Sequence, residues 1–199
     1  EPSAAPEPAP EPAPEPAPEP VIAPEPVVPE PAAPPERPWS DADEPRILAV
    51  QPFVAAAAAE HGVDPYLVNG LIWVESKFRP KAKNKSGARG LMQLMPTTAK
   101  ALGRAIHRPA KPYDAEWNVH AGTFYLSRQL ERFDGDETLA LAAYARGPGK
   151  VREWALAGEP LPASIESFVA KVQRARDVFA ALGWPAPLEP QTPSPRPVG

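Results

Sequence analysis

Sixteen of the chain's 32 prolines fall within its first 38 residues, mostly in a Glu-Pro-Ala-Pro repeat, and this confines any packed core to the residues beyond them. Such a segment lacks the apolar bulk to offset the entropy of ordering a core. It is expected to be an extended, polyproline-like or disordered tether over residues 1–45. At about 3.1 Å per residue, roughly 40 such residues reach on the order of 120 Å. Residues 185–199, with Gln-Thr-Pro-Ser-Pro-Arg-Pro, repeat the pattern as a short disordered tail. Residues 46–184 remain, enough for one domain with a sizeable core.

Charge divides along the same boundary. Residues 1–45 carry 11 acids and one base, for a net of about −10, and residues 46–199 carry 14 acids and 20 bases, for a net of about +6. The overall −4 therefore conceals a basic domain behind an acidic arm. A basic domain suits a polyanionic partner such as nucleic acid, anionic lipid or a carboxylate-bearing cell wall. Its cations are dispersed and match no nucleic-acid reading motif, so no nucleic-acid partner is expected. The chain has no cysteine, which removes disulfides and thiolate metal sites. His61, His107 and His120 stand far apart with no ligand spacing, so neither a metal nor another cofactor is expected. No apolar run approaches a membrane span. The first residue is Glu rather than Met, which reads as a mature or trimmed form whose targeting signal is out of sight.

The domain reads as mainly α. Arg46 to His61 is an alanine-rich helix closed by Gly62. Asp64 and then Pro65 make a helix start, an N-cap side chain and then proline at the first helical position. Leu67, Val68, Leu71, Ile72 and Glu75 come next at helical spacing, which puts Glu75 on or beside the buried face. Pro80 is expected to stop this helix, leaving Glu75 in its last turn. Apolar neighbours and the negative end of the helix dipole should both raise its pKa. A carboxyl kept protonated near neutral pH is what a general acid requires.

Basic loop chemistry occupies Pro80 to Gly90, and a short apolar turn runs from Leu91 to Met95. Further helices are expected from Pro96 to Gly103, Asp114 to Phe133, Glu137 to Arg146, Lys150 to Ala157 and Ala163 to Leu182. No segment shows the alternation of a strand. Asp114, Glu116 and Asp136 stand at helix starts, where capping explains them. Trp73 and Trp117 read as core.

Four ordered strings then carry more information than any one of them. The first is Glu75-Ser76-x-Phe78-x-Pro80-x-Ala82. The second is Gly87-Ala88-x-Gly90-Leu91-Met92-Gln93-Leu94-Met95-Pro96-x-Thr98-Ala99. The third is Trp117-Asn118-Val119-x-x-Gly122-x-x-Tyr125-Leu126, and the fourth is Ala142-Ala143-Tyr144 with Gly147-Pro148-Gly149-x-Val151. Together they resemble, over about residues 65–172, the motifs of the soluble-type lytic transglycosylases, relatives of goose-type lysozyme.

The resemblance implies a lysozyme-like helical domain with a groove for peptidoglycan glycan strands, acting in the periplasm or cell envelope. In that family one glutamate, matched here by Glu75, protonates the oxygen between N-acetylmuramic acid and N-acetylglucosamine. It then assists attack by the muramic C6 hydroxyl, leaving a 1,6-anhydro end and consuming no water. Ordinary glycosidases use two carboxylates, and only Glu75 has the required setting here.

The resemblance also implies substrate contacts from Ser86, Gly87, Met92, Gln93 and Tyr144; Asn84 and Arg146, where the chain departs from the family, are candidate contacts as well. Gly87 and Gly90 permit tight turns and close backbone approach to a sugar. Gln93 supplies a hydrogen-bonding amide, and Met92 either an apolar groove wall or a core residue. Tyr144 either brings its hydroxyl near Glu75 or the substrate acetamido group, or packs in the core with that hydroxyl satisfied. Asn118 reads as structural, bonding a loop backbone.

Three departures stand out. Asn84 replaces the usual serine, and Ser164-Ile165 replaces a Glu-Thr pair. Ala145-Arg146 comes after Tyr144 where the family has Asn-Ala. That exchange loses a groove amide and gains a cation, which either weakens contact with the acetamido group or holds a peptide-stem carboxylate. Two alternatives accompany the transglycosylase reading: a hydrolytic lysozyme on the same fold, and a non-catalytic peptidoglycan-binding assembly module. The arm would serve as a tether to a cell-envelope complex.

Overall fold

The computed structural model describes residues 36–184. The arm expected over residues 1–45 lies outside them up to residue 35, and the tail over 185–199 lies outside them entirely.

Helical structure begins with a single 3-10 turn at Asp41–Asp43, where Asp43 Oδ2 accepts from the backbone N–H of Ser40 at 2.9 Å. The helices are α1 (Glu44–Leu48), α2 (Gln51–His61), α3 (Pro65–Ser76), α4 (Pro96–Ala105), α5 (Ala115–Arg132), α6 (Glu137–Arg146), α7 (Pro148–Ala157) and α8 (Ala163–Ala181). Among the described residues no strand forms, and the only β contacts are isolated bridges from Arg89 to Lys83 and to Leu94. No helix there is long and apolar enough to cross a membrane.

Three side-chain caps act as expected. Asp64 accepts from Tyr66 N–H, Asp114 from Trp117 N–H and Asp136 from Leu139 N–H, each at 2.8–2.9 Å. Each satisfies an N–H that the first helical turn leaves free. The acids at these helix starts are thereby accounted for.

Three boundaries differ from expectation. The single helix expected over Arg46–His61 is broken at Ala49–Val50. Pro52 has no N–H to offer and its ring crowds the carbonyl of Leu48, four residues back. Next, α3 ends before Pro80. Lys77 and Phe78 both take left-handed backbone (φ 55° and 57°), uncommon for residues with a side chain. Arg46 Nε donates to the Lys77 carbonyl at 2.7 Å, and Phe78 is driven wholly into the core beside Phe179. Tertiary packing therefore ends the helix four residues before the proline does.

Finally, the folded part starts earlier than residue 46. Trp39 is only 6% exposed and stacks on Phe179 at 4.4 Å, with Trp73 and Trp184 at 5.4 and 6.3 Å. Proline richness alone does not mark where the arm ends, because one tryptophan supplies enough apolar surface to anchor the chain.

Helix α3 is the buried axis. Leu67, Val68, Leu71, Ile72 and Trp73 are all in the core, and α8 packs along it. The two backbones meet at Gly70, where a β-carbon would lie 2.6 Å from the Val172 carbonyl oxygen. Asn69, also buried, exchanges hydrogen bonds with Gln51 and donates to the Trp184 carbonyl at 3.2 Å. Arg176 on α8 clasps both oxygens of Glu137 on α6 at 2.7 and 2.9 Å. A second, smaller core forms where α4 meets α5, around Leu94, Ala99, Leu102, Trp117 and Ala121.

Candidate active site

Glu75 sits in the last turn of α3, where it emerges from the core into an open groove of about 740 Å³. The other walls come from the loop after α3, the start of α4, the Tyr125 face of α5, the end of α6 and the start of α8. Glu75 is the sole acid among the lining residues. Burial pushes its pKa up from 4.5 to about 7. Near neutral pH the group is thus divided between acid and carboxylate, the condition for giving a proton and later taking one.

The hydroxyl of Tyr144, on α6, donates to the carbonyl of Met92 at 2.8 Å. Burial and the nearby charge of Glu75 hold this phenol well above its ordinary pKa, so it remains neutral. The Tyr125 ring stands 5.2 Å from it, tilted by 52°. Both alternatives read from the sequence are thus partly met: Tyr144 lines the groove with Glu75, and its hydroxyl proton is already committed to backbone.

The loop from Lys77 to Met95 is fixed by its own backbone and by one side chain. Arg89 and Leu94 exchange N–H···O=C bonds at 3.0 Å, and Gly90 N–H reaches the Ala82 carbonyl at 2.9 Å. Gly90 has φ 81°, and a β-carbon there would collide with the Pro112 carbonyl at 2.1 Å, so no other residue fits. Asn118, fully buried on α5, accepts from Met92 N–H at 2.7 Å and donates to the carbonyls of Pro112 and Arg89 at 2.8 and 3.1 Å. It is the structural staple that its position suggested.

The candidate contacts divide accordingly. Asn84, Ser86, Gln93, Tyr144 and Arg146 line the groove with Glu75. Asn84 also accepts from Ala88 N–H at 3.0 Å, and the Gln93 amide donates to the Gly90 carbonyl at 2.9 Å. Arg146 is exposed and has no ion-pair partner among the described residues. Gly87 is absent from the lining and serves the turn, with φ 91° and its N–H on the Asn84 carbonyl.

Met92 is a correction. It is 0% exposed, packed against Gly122 and Thr123 of α5, so of its two readings the core one holds. Positive φ at Gly90 and Gln93 turns the chain so that Met95, 41% exposed, supplies the apolar wall instead. Thr98 was missed as a groove residue. Ser164 and Ile165, noted only as a departure, also reach the groove from α8, as does Phe168. Their distance in sequence from Glu75 left no local signal.

The histidines also depart from expectation. His61 and His120 are neighbours, with ring centroids 4.7 Å apart, and Glu60 Oε1 lies 3.0 Å from His120 Nε2. None of the three lines the Glu75 groove.

The family model described as Transglycosylase SLT domain matches residues 52–159. The chain is similar to a transglycosylase of Enterobacteria phage PRD1, 37% identical over 56% of this chain and 40% of that protein. It is similar also to membrane-bound lytic murein transglycosylase F of Desulfosudis oleivorans, 36% identical over 54% of this chain and 24% of that protein. The chain therefore spans less than half the length of these relatives. Among solved structures it resembles an inactive glutamate-to-glutamine mutant of lytic transglycosylase Slt from Pseudomonas aeruginosa. That match has a TM-score of 0.56 and 30% identity, over 72% of this chain and 25% of that one.

Proposed function

The chain belongs to the Transglycosylase SLT domain family, and from that premise we propose that it is a peptidoglycan lytic transglycosylase whose acid and base are both Glu75. The observation that carries this reading is a lone carboxyl in an open groove, raised to about 7 by burial. Hydrolysis with two carboxylates needs a second acid at a set separation, and the groove lining holds none.

In the reaction, the Glu75 carboxyl gives its proton to the oxygen between N-acetylmuramic acid and N-acetylglucosamine. The bond from that oxygen to the muramic C1 breaks, and the glucosamine leaves with a hydroxyl. The acetamido oxygen of the muramic residue supports the electron-poor C1. Glu75, now a carboxylate, takes the proton of the C6 hydroxyl as its oxygen bonds to C1. The 1,6-anhydro end forms and Glu75 is again protonated, so atoms and charge return to balance without water.

Asn84, Ser86, Gln93 and Tyr144 line the groove as polar contacts for the strand, and Arg146 offers a cation to a stem-peptide carboxylate. The net positive charge of residues 46–199 suits the anionic wall. The proposal includes action in the cell envelope, with the acidic proline-rich arm as a tether to a larger assembly.

Mass spectrometry of muropeptides released from purified peptidoglycan tests the proposal. Products one water lighter than their reducing counterparts are expected. Ordinary reducing ends would make the enzyme a hydrolase, and wall binding without release would make it a binding module.

A further inference from the structure

The second cluster of chemistry in this molecule lies between α2 and α5. Glu60 and His61 close α2 just before its left-handed Gly62 cap, and His120 faces them from α5. Each of the three can present one ligand atom within 4.8 Å of the others. The geometry points to a divalent transition-metal site, of the zinc class, formed by Glu60, His61 and His120.

Several observations converge on it. Tetrahedral coordination with bonds of about 2.0–2.1 Å sets neighbouring ligand atoms roughly 3.3 Å apart. The Glu60 Oε1 to His120 Nε2 distance is already 3.0 Å. A metal ion there takes the place of the proton that the two groups share, with a small outward adjustment. His61 completes the set with its ring at 70° to that of His120. Its Nε2 is buried without a hydrogen-bond partner. Buried ring nitrogens left unpaired are uncommon and call for a reason.

The donor set selects the ion. Two imidazoles and one carboxylate favour zinc-class ions over calcium or magnesium, which take oxygen ligands. Phe124, 5.5 Å from His61, closes one side of the site. On another, Glu60 and His120 border a groove of about 420 Å³ that leaves room for a water ligand. Arg108, which lines the same groove, is paired with Glu116 at 3.0 Å. A bound ion would cross-link α2 to α5, the helix from which Asn118 holds the groove loop. None of the three ligands lines the Glu75 groove, so the site is separate from the chemistry of Glu75.

The test uses the full untagged chain, stripped with a chelator. Zinc is titrated calorimetrically, and thermal unfolding is measured with and without the ion. Wild type and His107→Ala are expected to bind one zinc per chain saturably and to melt at higher temperature with it. His61→Ala and His120→Ala are expected to lose the melting shift and to bind at least roughly tenfold more weakly. Circular dichroism of the metal-free variants verifies that they are folded. If His120→Ala does not fold, Glu60→Gln takes its place. Absence of saturable binding by wild type, or equal binding by folded His61→Ala, overturns the proposal. Equal binding would assign the zinc to the acidic arm.

Discussion

The burial of Glu75 has a consequence that can be measured without substrate. Its folded pKa of about 7 stands above the ordinary 4.5, so the native state holds this proton more tightly than the unfolded chain does. The stability it confers is complete below 4.5 and declines as pH rises to about 7. The whole window is worth about 3 kcal/mol at 1.36 kcal/mol per unit. Glu75→Gln, which has no charge to bury, should match wild type in urea unfolding at pH 4 and exceed it by roughly that amount at pH 8. An equal or opposite gap would mean the carboxylate is stabilised in the fold. The same proton predicts that kcat/KM falls as pH rises through about 7, since the free enzyme must carry it to begin the reaction. A pH–rate profile flat from 6 to 9 would deny Glu75 the role of acid. Glu75 itself was legible from helical spacing and the string around it. Its open groove was not, because Ser164 and Phe168 reach it from α8, about ninety residues further along the chain.

At the scale of elements, the loop between α3 and α4 depends on α5 for its shape. Asn118 satisfies three backbone groups at once; its loss leaves Met92 N–H and the Pro112 carbonyl without that partner, while the Arg89 carbonyl keeps Leu94 N–H. Asn118→Ala is predicted to cost about 3 kcal/mol in denaturant unfolding and to lower the rate of wall cleavage. Its contacts with Glu75 are indirect, so the pH profile should keep its shape. A variant with wild-type stability would show that the loop holds itself. Capping residues made the helix starts easy to read, since Asp64, Asp114 and Asp136 act within their own first turns. The ends were harder. Where α3 stops is decided by Phe78 packing on Phe179 and by Arg46 on the Lys77 carbonyl, contacts with partners about thirty to a hundred residues away. Met92 was ambiguous for a similar reason. The turn at Gly90 and Gln93 chooses which methionine faces solvent, and a string of letters does not display a φ angle.

Over the whole molecule, the acidic arm and the basic domain were separable by composition, while their boundary was not. Trp39 falls within the expected arm by sequence and in the core by structure. Trp39→Ala should destabilise the fold by about 3–5 kcal/mol, and removal of residues 1–45 by at least as much. Removal of residues 1–35 alone should leave the melting temperature unchanged if the arm is only a tether. A large loss on that shorter truncation would give the arm a part in the fold. The pairing of His61 with His120 is likewise a property of the whole, created where α2 meets α5.

The most direct measurement is digestion of purified peptidoglycan in isotope-labelled water by wild type and by Glu75→Gln, with mass analysis of the released ends. Wild type should yield 1,6-anhydro ends carrying no label, and the folded variant should release them roughly 10²–10⁴-fold more slowly. Label at the muramic C1, or undiminished release by Glu75→Gln, would contradict a single carboxyl acting as both acid and base.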